Sequence, residues 1–584
     1  MATRTVASIL SPLLLATLAP AQADLAAAFP AGSWAFVDLT GIDEQAATFH
    51  QARLVGLAQQ ILGDVGTKNL QALGAQRGQR ELEKAQQALA RLGISATEVR
   101  GLLDGGLALG VGRPVFMGEN MLPSLALVAL ARDDAAARPF SPLIDRLAQN
   151  APNAVRSTQV IGGVEFARLD LPRHGQVLYG TRGRYCLIGN SPGYLAECLA
   201  CLQNQTPSLA KDACLEQGRG LLRGKRMASL LVNARPFAQA LAPLLPYEAA
   251  TLGQALGITG APELFVGLAH DGKNACDLLD LTLPGPTDGL LKTLLSKPVS
   301  NHAARWVKRN TALFASFAFD VDAAKEAFAR TLHALPPGAE HELRRELGRE
   351  FRGKRLQLLE DVLGALGGEI SIALDLPQPL PPFVTFTVFA KVRDMDKAEG
   401  LLRQVASDAH LGEVRYEEID GAKVWSTDVR MRDMRISPTV ALHDGWLVAS
   451  NFSNVVKRHL RSGELGDDAL ASDPRFVAAT KVAPHAGIFL TARFQAAVDA
   501  YWGLASTGIR AGANRLGFEP DEIPDAEAVC AAIDDVVLAA TATERGFTVR
   551  VQQPLGLGTL LPAGAAALDW LLSQLGGRKV YRIY

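Results

Sequence analysis

The chain has 584 residues, of which 48% are hydrophobic and 20% charged, with 59 Lys and Arg against 60 Asp and Glu. That apolar content with a formal net charge of −1 excludes a largely disordered chain and leaves no electrostatic footprint for nucleic acid. At about 150 residues per domain the length corresponds to three or four domains, or to two large ones.

The chain opens on an export signal. Arg4 is a positive flank, Ile9, Leu10, Leu13, Leu14, Leu15 and Leu18 form an apolar stretch, and Ala21-Gln22-Ala23 is an A-x-A cleavage site before Asp24. The stretch is too short to span a bilayer comfortably, and no Cys follows the site to carry a lipid. The expected location is periplasmic or extracellular, where disulfides persist. Of the six cysteines Cys186, Cys198, Cys201, Cys214, Cys276 and Cys530, the Cys198-x-x-Cys201 pair lacks the partners of a zinc or redox motif. A staple from Cys214 to Cys198 or Cys201 is expected instead, closing a loop of about 15 residues worth about 3 kcal/mol in the chain-entropy model.

Past the signal, residues 34–39 read as a strand and 80–92 as a helix, and Ser95-Ala96-Thr97-Glu98 is a capping box. Gly105-Gly106 opens a strand, a second apolar strand follows, and 136–149 has amphipathic helical spacing. Gly162-Gly163 and Arg182-Gly183 punctuate short hairpins, and 264–283 closes the series around Asp271-Gly272. A linker runs over 284–301. The series then recurs: strand 314–319, helix 340–366, Gly367-Gly368, helix 396–407, turns at Asp420-Gly421 and Asp444-Gly445, and a closing hairpin over 536–551 around Arg545-Gly546.

The recurrence extends to the residues. Segments starting at Asp104, Leu127, Tyr185 and Leu209 match those starting at Leu366, Phe386, Trp446 and Leu470, at separations of 262, 259, 261 and 261 residues. The period is too long for a solenoid. The expected architecture is α+β: two homologous units, 24–290 and 300–554, each a mainly antiparallel sheet with helices packed on one face, behind a signal peptide over 1–23.

The Gly-Gly strand openings, the acidic helix entries at Asp133-Asp134 and at Asp394 and Asp396, the Asn-ended hairpins, and the Leu-Ala-x-Asp entries at Asp212 and Asp473 together resemble a family of exported bacterial proteins of unknown function. Its members often carry the domain twice behind a signal peptide. The resemblance covers most of the chain and implies fold and location, with no established chemistry.

The sharpest enzymatic signal is Gly189-Asn190-Ser191-Pro192-Gly193, a G-x-S-x-G between strand and helix, the setting of a serine hydrolase nucleophile. The matching segment reads Ser450-Asn451-Phe452-Ser453-Asn454, so only strand, Asn and helix recur, which a turn and an N-cap explain. The ten His are scattered without metal-ligand spacing, and Gly110-Val111-Gly112, Gly224-Lys225-Arg226 and Gly353-Lys354-Arg355 are incomplete phosphate loops. The Arg-rich stretch 344–355 interleaves acids and reads as an exposed, salt-bridged helix.

The chemistry thus points to no catalytic residue, cofactor or metal. It points to a non-catalytic exported protein that binds a macromolecular partner in the envelope or plays a structural role. A carrier of an apolar ligand or lipid is the alternative, with Phe383, Phe386 and Phe389 on one strand as candidate lining. Near the C-terminus, Leu568, Leu571, Leu572 and Leu575 form one stripe interrupted by Asp569, so 555–584 is expected to dock an amphipathic helix rather than insert in a membrane. N-terminal sequencing of protein from the native host is expected to begin at Asp24; a cytosolic product that retains Met1 would reverse the export reading.

Overall fold

The chain is described here by a computed structural model over residues 24–41, 44, 45, 48, 95–117, 120–148, 154–171, 175–236, 262–285, 289–295, 297–333, 338, 362–376, 384–407, 413–431, 434–516, 523–554 and 556. The expected export signal, the helices expected over 80–92 and over nearly all of 340–366, Phe383 and the expected C-terminal helix lie outside these residues.

Alternating and continuous apolar runs become strands. In the first half they are β1 (Ala35–Leu39), β2 (Leu107–Met117), β3 (Asn120–Leu130), β4 (Val155–Ile161), β5 (Val164–Leu171), β6 (Gly175–Arg182), β7 (Tyr185–Gly189), β8 (Lys225–Asn233), β9 (Glu263–His270) and β10 (Ala275–Thr282). In the second they are β11 (Leu313–Ala318), β12 (Leu366–Asp375), β13 (Thr385–Val392), β14 (Val414–Ile419), β15 (Ala422–Thr427), β16 (Val429–Met431), β17 (Met434–Ile436), β18 (Thr439–His443), β19 (Trp446–Ser450), β20 (Ile488–Ala492), β21 (Val536–Thr543) and β22 (Gly546–Gln553).

All but β16 and β17, which pair only with each other, join one antiparallel ladder. From one edge it runs β4-β5-β6-β7-β3-β2-β1-β8-β9-β10. It continues β22-β21-β20-β11-β12-β13-β19-β18-β15-β14. Read inward from each edge, the two halves follow one and the same path. The seam is β10 against β22, paired from Ala275↔Gln553 to Thr282↔Gly546.

The helices are α1 (Ala96–Leu103), α2 (Asp134–Ala137), α3 (Phe140–Ala148), α4 (Pro192–Leu202), α5 (Ala213–Leu221), α6 (Gly289–Leu295), α7 (Val321–His333), α8 (Met395–Ala406), α9 (Ser453–Ser462), α10 (Pro474–Thr480), α11 (Phe494–Leu516) and α12 (Ala526–Ala532). Ser95 and Glu98 form the expected capping box on α1. The helix read over 136–149 is two, α2 and α3, interrupted before Phe140 by Pro139, whose ring removes a backbone donor. The linker is not bare chain: α6 sits within it, packed on α7, and Val299 N–H donates to Ala486 C=O. Among the described residues, no helix is long and apolar enough to cross a membrane.

Mixed α+β character holds, but the helices do not keep to one face. On β3, Ala126, Val128 and Leu130 belong to the core under α4, while Ala129 and Ala131 belong to a second core with Phe140 of α3. On β13 and β19, Phe389 and Val448 join one core, and Val392 and Leu447 join the core under α8. The apolar run 125–131 carries the reason: a strand apolar at consecutive positions must bury both faces.

Gly106 and Gly368 open β2 and β12 at φ of 107° and 86°. A Cβ there would lie 2.5 Å from Leu39 O and 2.4 Å from Phe319 O. Gly368→Ala is expected to destabilise by about 1–3 kcal/mol from backbone strain alone. Gly400→Ala, inside α8 with open space around the new methyl, is expected to stabilise by about 0.5–1 kcal/mol. Urea unfolding of both variants checks the opposite signs.

Candidate functional site

The strand–Asn–helix motif is structural in both halves. Asn190 accepts from Leu125 N–H at 2.7 Å and donates to Pro123 C=O at 2.9 Å. Asn451 does the same with Phe386 N–H at 3.0 Å and Val384 C=O at 3.0 Å. Each side-chain amide thus extends the ladder beyond the end of its strand. Ser191, 5% exposed, accepts from Tyr194 N–H and caps α4. Among the described residues its hydrogen-bond partner is the α4 backbone, so the serine of this G-x-S-x-G spacing serves as an N-cap.

The expected cysteine staple is absent. All six cysteines are free, buried thiols. Cys201 contacts Thr206 Oγ1 at 3.2 Å, whereas Cys214, on α5, turns to Thr282 Oγ1 of β10. Burial raises all three thiols, Cys214 to about 12. They act as small apolar side chains in the core rather than as nucleophiles.

One polar cavity of about 420 Å³ lies beside Asp473, Arg493 and Arg309. The charges at its centre are partnered, while Lys308, Asp468 and Asp499 complete the lining. Arg493, buried, donates to Arg309 C=O and to Asp473 at 2.6 Å and meets Asp535 at 3.5 Å. Burial would push Asp473 up, but Arg493, the Arg475 N–H and Arg309 together hold it below the ordinary carboxylate value. For Asp535 burial prevails and raises it. A network with each head group engaged reads as internal support.

A second cavity, of about 300 Å³, differs in kind. Trp306, Trp446, Phe389, Val448 and Leu460 give it apolar walls, and His302, His443, His459, Asp444 and Glu464 its polar groups. His302 stacks on Trp446 at 5.6 Å with an interplanar angle of 10°. Trp306 stands perpendicular to Trp446 at 5.2 Å and to His302 at 5.0 Å. Phe389 meets Trp306 at 5.9 Å and His459 at 5.4 Å. Burial, joined by Arg458 and Lys308, pushes His459 down to about 4 against a backbone hydrogen bond with Trp306. His443 Nε2 lies 3.3 Å from Asp444 on the exposed β18–β19 turn.

This site was not legible as such. Three of the ten histidines meet here, from a 3₁₀ turn (His302–Arg305), the end of β18, and α9. Of the described residues of the expected aromatic lining, Phe389 takes part and Phe386 does not. Phe386 lies three residues away, on the opposite face of β13, 44% exposed. The described residues hold no His, Cys, Asp or Glu group fit for a metal ion. Comparison with family models, curated proteins and solved structures finds no match.

The low pKa of His459 sets a sign. The unfolded histidine takes its proton near 6.5, the folded one only near 4, so stability rises with pH between those values and is lost on acidification. The loss between pH 7 and pH 4 is at most about 3 kcal/mol. His459→Gln is expected to flatten this part of the curve in urea titrations at pH 7, 5.5 and 4.5; parallel wild-type and variant curves would show the side chain solvated.

Proposed function

We propose that the protein is an exported, non-catalytic binding protein, built from two copies of one α+β unit, that holds a small ligand in the aromatic cavity of its second unit. The common strand path of the two halves and the separations near 261 residues support a duplication with units over 24–290 and 300–554. Export rests on the A-x-A site and on the resemblance to exported proteins. Asp24, the residue after that site, is tied into the fold: it accepts from Ala26 N–H and pairs with Arg219 at 2.7 Å.

One observation carries the binding reading. In register, Val128 faces Leu187 and Phe389 faces Val448, so the two positions correspond, as do Cys198 and His459 by spacing. In the first half Val128, Leu187 and Cys198 are fully buried in a closed apolar core. In the second, Phe389, Val448 and His459 line a cavity with two tryptophans. Both positions are buried, but the second adjoins a cavity with aromatic walls and a few convergent polar groups, the composition of a ligand site.

The test is extraction of purified mature protein followed by mass spectrometry of the released small molecules. A compound is expected with the wild type and not with Trp306→Ala, which removes one wall. A wild type that releases nothing, and whose tryptophan fluorescence answers to no member of a metabolite set, would overturn the reading.

A further inference from the structure

Building on that ligand site, we propose that the aromatic cavity takes an organic cation, a methylated ammonium group. The walls set the first condition. Trp306, Trp446 and Phe389 come from three separate elements and present rings in different planes. A cation within about 6 Å of several ring centroids is attracted by the negative faces of all of them. His302 stacks parallel to Trp446 and takes up one face of that ring.

Charge sets the second condition. The lining holds two carboxylates, Asp444 and Glu464, and neither Lys nor Arg. Nearby cations sit outside it: Arg305 is paired with Glu464 at 3.2 Å, while Arg458 and Lys308 are exposed. His459 is neutral at pH 7 and adds no opposing charge. Asp444 is 81% exposed on its turn, at the mouth rather than in the walls. Carboxylates at the mouth and rings behind suit a ligand whose charge is spread over methyl groups. A bare ammonium is a strongly hydrated point charge and would give up more water on entry, and an anion would meet Asp444 with no lining Lys or Arg, Glu464 being paired with Arg305.

The probes are choline and its neutral isostere 3,3-dimethyl-1-butanol, titrated into the full mature chain by calorimetry at constant ionic strength. Choline is expected to bind about tenfold or more tightly than the alcohol. Trp446→Leu should abolish that preference. Because Trp446 is also a core residue, a second variant guards against misfolding: Asp444→Asn keeps the left-handed turn, which Asn tolerates. It should weaken choline several-fold and leave the alcohol unchanged. Equal affinities, or tighter binding of the alcohol, overturn the cation while leaving the ligand site intact. So does binding of neither probe by a protein that releases some other compound on extraction. Binding of neither by a protein that releases nothing overturns both.

Discussion

The seam between β10 and β22 is the contact on which the single sheet depends. Each half ends in a strand that would otherwise present a row of unpaired backbone groups, an open template for aggregation. Eight residue pairs close the two edges on each other. The seam is reinforced by side chains, with Thr548 donating to the buried Asp280 across it and Gln217 of α5 reaching the same carboxylate at 3.1 Å. Arg223 adds a bond to Val482 C=O in the other half. Among the described residues the far strands of this ladder, β4 and β14, remain as its edges. β14 carries Arg415, Glu417 and Glu418, charges that disfavour a further strand.

A ladder that long must find cover for both faces, which explains the division of the core. Alternate residues of β3, β7, β13 and β19 feed separate clusters above and below the sheet. Short helices pack on these clusters, and several of their entries are fixed by acid caps. Asp212 on α5 and Asp473 on α10 accept from the first-turn N–H groups at matching places in the two halves. In the second half the same carboxylate also neutralises Arg493. One motif therefore serves as a cap in one half, and as a cap and counter-ion in the other.

The cavity follows from the same scaffold. Around β13, β19 and α9 the backbone repeats that around β3, β7 and α4, but larger and more polar side chains stand where the first half has Val128, Tyr185 and Cys198. In the second half the phenylalanine, tryptophan and histidine at these positions line the cavity. Asn190 and Asn451 make the same two hydrogen bonds in the two halves, while the side chains at the matching core positions differ.

The sequence by itself determined the α+β class, the antiparallel hairpins, the helix caps and the recurring order of elements. These depend on local periodicity and turn chemistry: Asp420-Gly421 and Asp444-Gly445, for instance, adopt the positive φ values that their hairpins require. It placed the helices on one face of the sheet, whereas β3 buries residues on both faces. Tertiary structure alone decided the rest. The β10–β22 seam joins residues more than 260 apart, and no local pattern encodes which edges meet. The separation of Cys201 from Cys214 and of Phe386 from Phe389 depended on which way each side chain faces once its element is packed. His302, His443 and His459, scattered along the chain, became one site because three elements converge at the end of one half of the sheet. Proximity of that kind is a property of packing, not of spacing.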